Sequence, residues 1–225
     1  MSIFLSVGVL ILATLILCCL CLKPGILMLF YHHAFGKNSQ KRANYLSAYF
    51  ILGSATAVGI LLTVVFMLTV DSAILHWILT GVLVALGILY FLFYFRRGRG
   101  TELFLSRKQA RSLVATAAAA KSPSDAFMLG AMAEIPELIF SLPVYVALAV
   151  GLNWLNDQIL RTCLAIVAIL CILAPLFITW GFLMGGRNLA DLQRLRVKNK
   201  LFCRFFVAGC YFILAALLVG LEILL

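Results

Sequence analysis

Residues 73–95 read AILHWILTGVLVALGILYFLFYF, an apolar run that contains no Asp, Glu, Lys or Arg. Wound as a helix at ~1.5 Å per residue, such a run spans ~30 Å, the thickness of a bilayer's hydrocarbon core. A strand of a membrane barrel would show polar and apolar residues in alternation over only ~10 positions. The run is apolar on both faces instead, and it reads as a transmembrane helix.

Five further segments read the same way: residues 3–33, 44–70, 124–152, 159–184 and 201–225. Lys23-Pro24-Gly25 interrupts the first of them, and Pro136 and Pro143 interrupt the fourth. Across all 225 residues the chain is 64% hydrophobic and 12% charged, with a mean hydropathy of +1.12. A soluble domain is roughly half apolar and has to face water with the remainder, so lipid must cover much of this exterior. In lipid every backbone group needs an internal partner, which helices provide along their own length. The expected fold is an all-α integral membrane protein of six transmembrane helices. The first twenty residues lack the positive start and the small-residue cleavage site of a signal peptide, so the segment is expected to stay in the mature chain.

The net charge of +10 suits nucleic acid, but its distribution does not. Every basic residue except Lys23 and Arg161 falls in, or for Arg204 just past the end of, three connections between apolar segments. Lys37, Lys41 and Arg42 follow the first segment. Arg96, Arg97, Arg99, Arg107, Lys108, Arg111 and Lys121 follow the third, and Arg187, Arg194, Arg196, Lys198, Lys200 and Arg204 the fifth. The positive-inside rule puts these three connections in the cytoplasm, in a bacterial-type inner membrane, with both termini outside. Nucleic acid is not an expected partner. Residues 101–120 and 188–202 look helical and basic. They either rest on anionic lipid headgroups or act only as connectors whose charge fixes topology. Ser122-Pro123-Ser124-Asp125 reads as a break and a new helix start, with Ser124 or Asp125 as the cap.

Pro24 and Pro136 lie about half the chain apart. Each prolyl break precedes an apolar stretch, a polar turn and another long helix. The organisation expected is therefore a 3+3 inverted repeat, 1–112 and 113–225, with prolyl breaks in helices 1 and 4, an architecture common among secondary transporters.

Glu134 and Glu137 carry the chemistry of the fourth segment. Glu134 lies about ten residues in, or ~15 Å, which is the middle of the hydrocarbon core. A carboxylate at that depth costs several kcal/mol unless it is paired, so it should face the bundle interior. The i, i+3 spacing places Glu137 on the same face, and Pro136 between them frees a backbone carbonyl. Lys23 is the natural counter-ion if the first segment continues to His33. The alternative ends that segment at Leu22 and leaves Lys23 as its cytoplasmic edge. Lys23, Pro24, Gly25, Glu134, Pro136 and Glu137 are the expected substrate- or ion-binding residues.

Other candidates are weaker. Gly53, Ala57 and Gly59, like Gly81, Ala85 and Gly87, read as close-packing positions. His32 and His33 are adjacent, so they point apart on a helix and read as interfacial rather than metal ligands. The seven cysteines show no paired metal spacing and read mostly as small helical hydrophobes. No nucleophile elbow, phosphate loop, dinucleotide turn or HExxH motif is present. No enzymatic activity, metal or cofactor is expected.

The Pro24-Gly25 break, the stretch Lys37-Asn38-Ser39-Gln40-Lys41-Arg42 and the glycine-bearing second segment resemble the LysE-type exporter superfamily. Within it, Gly130-Ala131-Met132-Ala133-Glu134-Ile135-Pro136 is similar to the Glu-hydrophobe-Pro signature of the GAP family, which addresses peptidoglycolipids to the cell surface. Pro143-Val144-Tyr145 is a looser match to that family's later Pro-Tyr. The resemblance implies six helices and export of a small solute or a lipid-like substrate; coupling to protons or cations is what the acids Glu134 and Glu137 would provide. A more distant similarity to CcdA/DsbD-type thiol-redox carriers meets a departure, because those need a reactive cysteine at each prolyl break and the fourth segment has none. Three functions thus stand: an exporter, a non-transporting membrane subunit that docks a partner through its basic loops, and a redox carrier. A homo-oligomer or a larger membrane complex is compatible with each.

Overall fold

The computed structural model describes residues 2–20, 23–32, 37–69, 73–93, 112, 115–120, 122–185, 205–220 and 222. Among these residues the chain is helical with short turns, and no strand occurs. In chain order the helices are α1 (Ser2–Leu20), α2 (Lys23–His32), α3 (Lys37–Leu68) and α4 (Ala73–Phe93). A short helical stretch at 115–119 precedes α5 (Pro123–Met132), which leads through a 3₁₀ turn, Ile135–Glu137, into α6 (Leu138–Asn153). Helices α7 (Gln158–Met184) and α8 (Phe205–Gly220) follow.

Five stretches are long and apolar enough to cross a bilayer: Phe4–Tyr31, Lys41–Leu68, Ile74–Leu92, Pro123–Asn153 and Gln158–Met184. The described part of the sixth, Phe205–Gly220, is shorter than the ~20 residues a span needs. The basic stretch 188–202 and most of 101–120 lie outside the described residues, as do His33, Cys21 and Cys203.

Local sequence explains where the helices begin and change. Helix α3 starts at Lys37, seven residues before the apolar run does, because Gln40, Lys41, Arg42 and Ala43 are good helix formers that hydropathy passes over. The cap of α5 is Ser122, not Ser124 or Asp125. Pro123 takes the first helical position, where its missing N–H costs nothing. The Ser122 hydroxyl accepts from the Asp125 N–H at 3.2 Å while the Asp125 carboxylate accepts from the Ser122 N–H at 3.0 Å, a closed capping box.

Beyond Pro123, proline has different effects at three further positions in the second half. Pro136 has no N–H to give Met132, and the ladder there tightens to i−3 bonds, with the Glu134 N–H on the Ala131 carbonyl and the Glu137 N–H on the Glu134 carbonyl at 3.1 Å. Pro143, expected to interrupt the segment, instead lies inside a continuous α6. One lost hydrogen bond is tolerated where packing neighbours hold the helix. Pro175 inside α7 frees the Cys171 carbonyl, and the Cys18 thiol of α1 donates to it at 2.8 Å.

Two apolar clusters fill the interior. One gathers the end of α2, the first half of α3, α5 and the last part of α7, around Leu27, Phe50, Leu129 and Leu176. The other gathers α1, the second half of α3, α4, α6, the middle of α7 and α8, around Ile16, Val58, Leu148 and Leu214. Helix α1 packs on α6 and α7, and α3 on α5, so the two halves of the chain are interleaved. The edge-on pair Phe91–Phe205 joins the end of α4 to the start of α8. The Tyr31 hydroxyl donates to Asn44 and joins α2 to α3. The first contact joins helix ends that flank the second and third basic connections, and the second joins the two ends that flank the first.

Candidate functional site

Between the two clusters runs a polar layer, and each element that crosses it changes cluster there. On the first segment Ile16 and Leu17 belong to one cluster, Ile26 and Leu27 to the other, and Lys23 separates them. On α3 the change falls between Ile51 and Val58, with the fully buried Ser54 between. On the fourth segment it falls between Ala133 and Val144, where Glu134, Glu137 and Ser141 are all buried. Ser54 sits at the centre of the span Lys41–Leu68, and Glu134 is ~16 Å along from Pro123.

Lys23 is 1% exposed and Glu134 5%. The Lys23 ammonium donates to the Glu134 carboxylate, forming a buried ion pair across 111 residues of sequence. The pairing has a local cause. Lys23 opens α2, where the helix dipole already presents positive charge, so an ammonium there requires an acid. Glu134 stands where α5 gives way to the 3₁₀ turn, and the Pro136 break carries the chain on past it. Glu137, 8% exposed, is the second buried acid of this stretch. Pro24 and Gly25 form the half-buried first turn of α2 beside Lys23. The six residues expected from sequence thus lie on two adjoining stretches that the ion pair ties together.

What holds those stretches so close is a helix crossing of which the sequence showed one side: Gly53 was expected at a close-packing position, whereas Gly130 was not. A Cβ on Gly53 would lie 2.0 Å from the Phe127 carbonyl oxygen, and one on Gly130 would lie 2.1 Å from that of Phe50. Real side chains never approach backbone so closely, so α3 and α5 touch backbone to backbone. The Ser54 hydroxyl donates across the crossing to the Gly130 carbonyl at 3.1 Å. The signal was present in the chain: Phe50-Ile51-Leu52-Gly53 recurs as Phe127-Met128-Leu129-Gly130. Of the other small residues, Gly87 packs on Phe212 and Tyr211, whereas Gly59 and Gly81 have nothing within 4 Å of a Cβ, against the packing role expected for them.

A second ionisable pair, part-buried, lies at the start of α4. His76 Nδ1 is 2.6 Å from Glu222 Oε2, and its ring meets Trp154 edge-on at 5.2 Å. The contact ties the first turn of α4 and the end of α6 to the last described residue of the chain. Sequence reading missed it because the partners are 146 residues apart. A hydrogen bond to a charged group contributes about 1.5–3 kcal/mol. Glu222→Gln should therefore speed hydrogen exchange in the last turns of α8 by roughly tenfold or more, with α3 unchanged. Unchanged α8 exchange would show that the contact does not hold this helix.

Neither a protein-family model, a curated protein nor a solved structure matches the chain.

Proposed function

We propose that the chain is a secondary transporter, an exporter of a small solute or a lipid-like substrate in a bacterial-type cytoplasmic membrane. In this reading 1–112 and 113–225 are two inverted repeats of three spans each, Phe205–Gly220 belongs to the sixth span, and both termini lie outside. The observation that carries it is the Lys23–Glu134 pair, one charge from each half of the chain, buried in a polar layer that divides an otherwise apolar core. Ionisable groups at membrane depth are costly and are kept where ions or substrates pass. Transporters place such sites near the midplane, at broken helices contributed by both repeats. Here Lys23 would release Glu134 when substrate or a proton takes its place, and rocking of one repeat against the other would expose the site to each side in turn. Pro24, Gly25, Pro136 and Glu137 line that site. The resemblance to the LysE-type and GAP exporters supports the same reading.

The test uses the full chain in liposomes that enclose a pH-sensitive dye, with a panel of amino acids and lipid precursors outside. The expected result is a substrate-dependent proton movement that Glu134→Gln abolishes while the helical content of the reconstituted protein is kept. Proton movement at the wild-type rate in Glu134→Gln would remove the acid from the coupling mechanism.

A second reading is favoured by the burial of the ion pair, since a static tether requires the same burial. The chain would then be a membrane subunit that docks a partner through its basic connections. The two readings part on a double variant of the pair, taken up in the Discussion.

A further inference from the structure

At the depth of the polar layer, α1 and α7 meet through cysteine. On the first segment the change of cluster falls between Leu17 and Ile26, and on α7 it falls between Ile172 and Leu173. Cys18 directly follows the first of these points, and Cys171 stands just before the second. The Cys18 thiol donates to the Cys171 carbonyl at 2.8 Å, across 153 residues of sequence. Pro175 is the cause on the α7 side, since the carbonyl four residues before a proline receives no N–H from the helix.

The acceptor belongs to a second cysteine, and that fixes how far apart the two thiol-bearing residues are. A carbonyl oxygen is two bonds from its own Cα, so the Cys18 sulfur lies within ~5.5 Å of the Cys171 Cα. Standard disulfide lengths put a partner sulfur ~4 Å from a cysteine Cα. Closing the pair therefore asks for a shift of under ~2 Å, on the scale of a rotamer change at each cysteine. Both residues carry free thiols, Cys18 half-buried and Cys171 exposed. At this depth an exposed side chain faces lipid, which opens the pair to reagents that dissolve in the bilayer. The other described cysteines are placed differently: Cys19 points away from Cys18 on the same helix, and Cys163 lies two turns from Cys171 along α7, or ~12 Å.

We infer that Cys18 and Cys171 are an oxidisable dithiol, a modification site where a lipid-soluble two-electron acceptor of the quinone or diazene class closes a disulfide between α1 and α7. Two S–H bonds break and one S–S bond forms. The two electrons and two protons pass to the acceptor, which leaves as a hydroquinone or a hydrazine. Oxidation exchanges the thiol-to-carbonyl hydrogen bond for a covalent link, and it fixes α1 on α7 five residues before Lys23. The disulfide is a modification of this chain rather than a relay of electrons. It is read out on the protein itself and does not depend on the transport reading.

The test uses the full-length chain in phosphatidylcholine nanodiscs, with Cys19, Cys21, Cys163, Cys203 and Cys210 replaced by alanine. It is treated with diamide, a diazene that permeates bilayers. The expected result is loss of both remaining thiols in the monomer, a mass lower by two hydrogens, and a linked α1–α7 peptide that dithiothreitol releases. A control chain keeps Cys19 and Cys171 and carries Cys18→Ala. Neighbouring positions on a helix point apart, so its thiols should close at least about tenfold more slowly. Peptide mapping of the unsubstituted chain after the same treatment should find Cys18 linked to Cys171, a result that needs no replacement to be tolerated. Retention of both thiols, closure of the control at the same rate, or linkage only between two chains would overturn the proposal.

Discussion

Lys23→Met is expected to lower the stability of the protein by about 3–5 kcal/mol, because it strands the Glu134 carboxylate in an apolar interior. Adding Glu134→Leu to the same chain should return most of that loss. A buried ion pair exchanged for apolar residues of similar volume is often neutral or stabilising, since the desolvation of both charges disappears together with their attraction. Denaturation in mixed detergent micelles, followed by circular dichroism, gives the three stabilities. Similar losses in the single and the double variant would mean that Lys23 and Glu134 contribute independently and that the ion pair is not the unit.

The same double variant separates the two functional readings. If the pair is only a tether, the refilled core keeps the helices together and partner binding survives. If the pair is the transport site, the double variant folds, inserts and carries nothing. Stability then recovers from the single to the double variant while activity does not, an outcome that a purely structural role does not produce.

How far the sequence led follows from which interactions are local. The apolar runs set the helices because the requirement they meet, an internal partner for every backbone group in lipid, operates within each helix. The burial of Glu134 was available by counting about ten residues in from Ser124. The capping box was half legible: Ser-Pro-Ser-Asp announces a helix start, but only the position of Pro123 decides that Ser122 is the cap. Pairings across the bundle were less accessible. Lys23 with Glu134 was reachable because a buried cation and buried acids must find one another. His76 with Glu222 was not, since each lies near a helix end where water could equally have solvated it.

Gly130→Ala is expected to cost about 2–4 kcal/mol, far more than a methyl group usually does on a helix. A Cβ there meets the Phe50 carbonyl oxygen at 2.1 Å and the Ser54 nitrogen at 3.0 Å. These are backbone atoms that no rotamer change can move away, so α3 and α5 must separate. Gly59→Ala on the same helix α3 is the control. Nothing lies within 4 Å of its Cβ, so it should be neutral or gain up to about 1 kcal/mol from the better helix propensity of alanine. Gly53→Ala should resemble Gly130→Ala, and the double variant should cost little more than either alone, because one separation relieves both contacts. Full additivity would mean that the two glycines do not share a crossing. The separation also reaches the ion pair: Glu134 stands one turn beyond Gly130, and the Ser54 bond that registers the crossing is broken by the same shift. If the pair is the transport site, transport in Gly130→Ala should therefore fall more than its loss of folded protein accounts for, whereas Gly59→Ala should keep the wild-type rate.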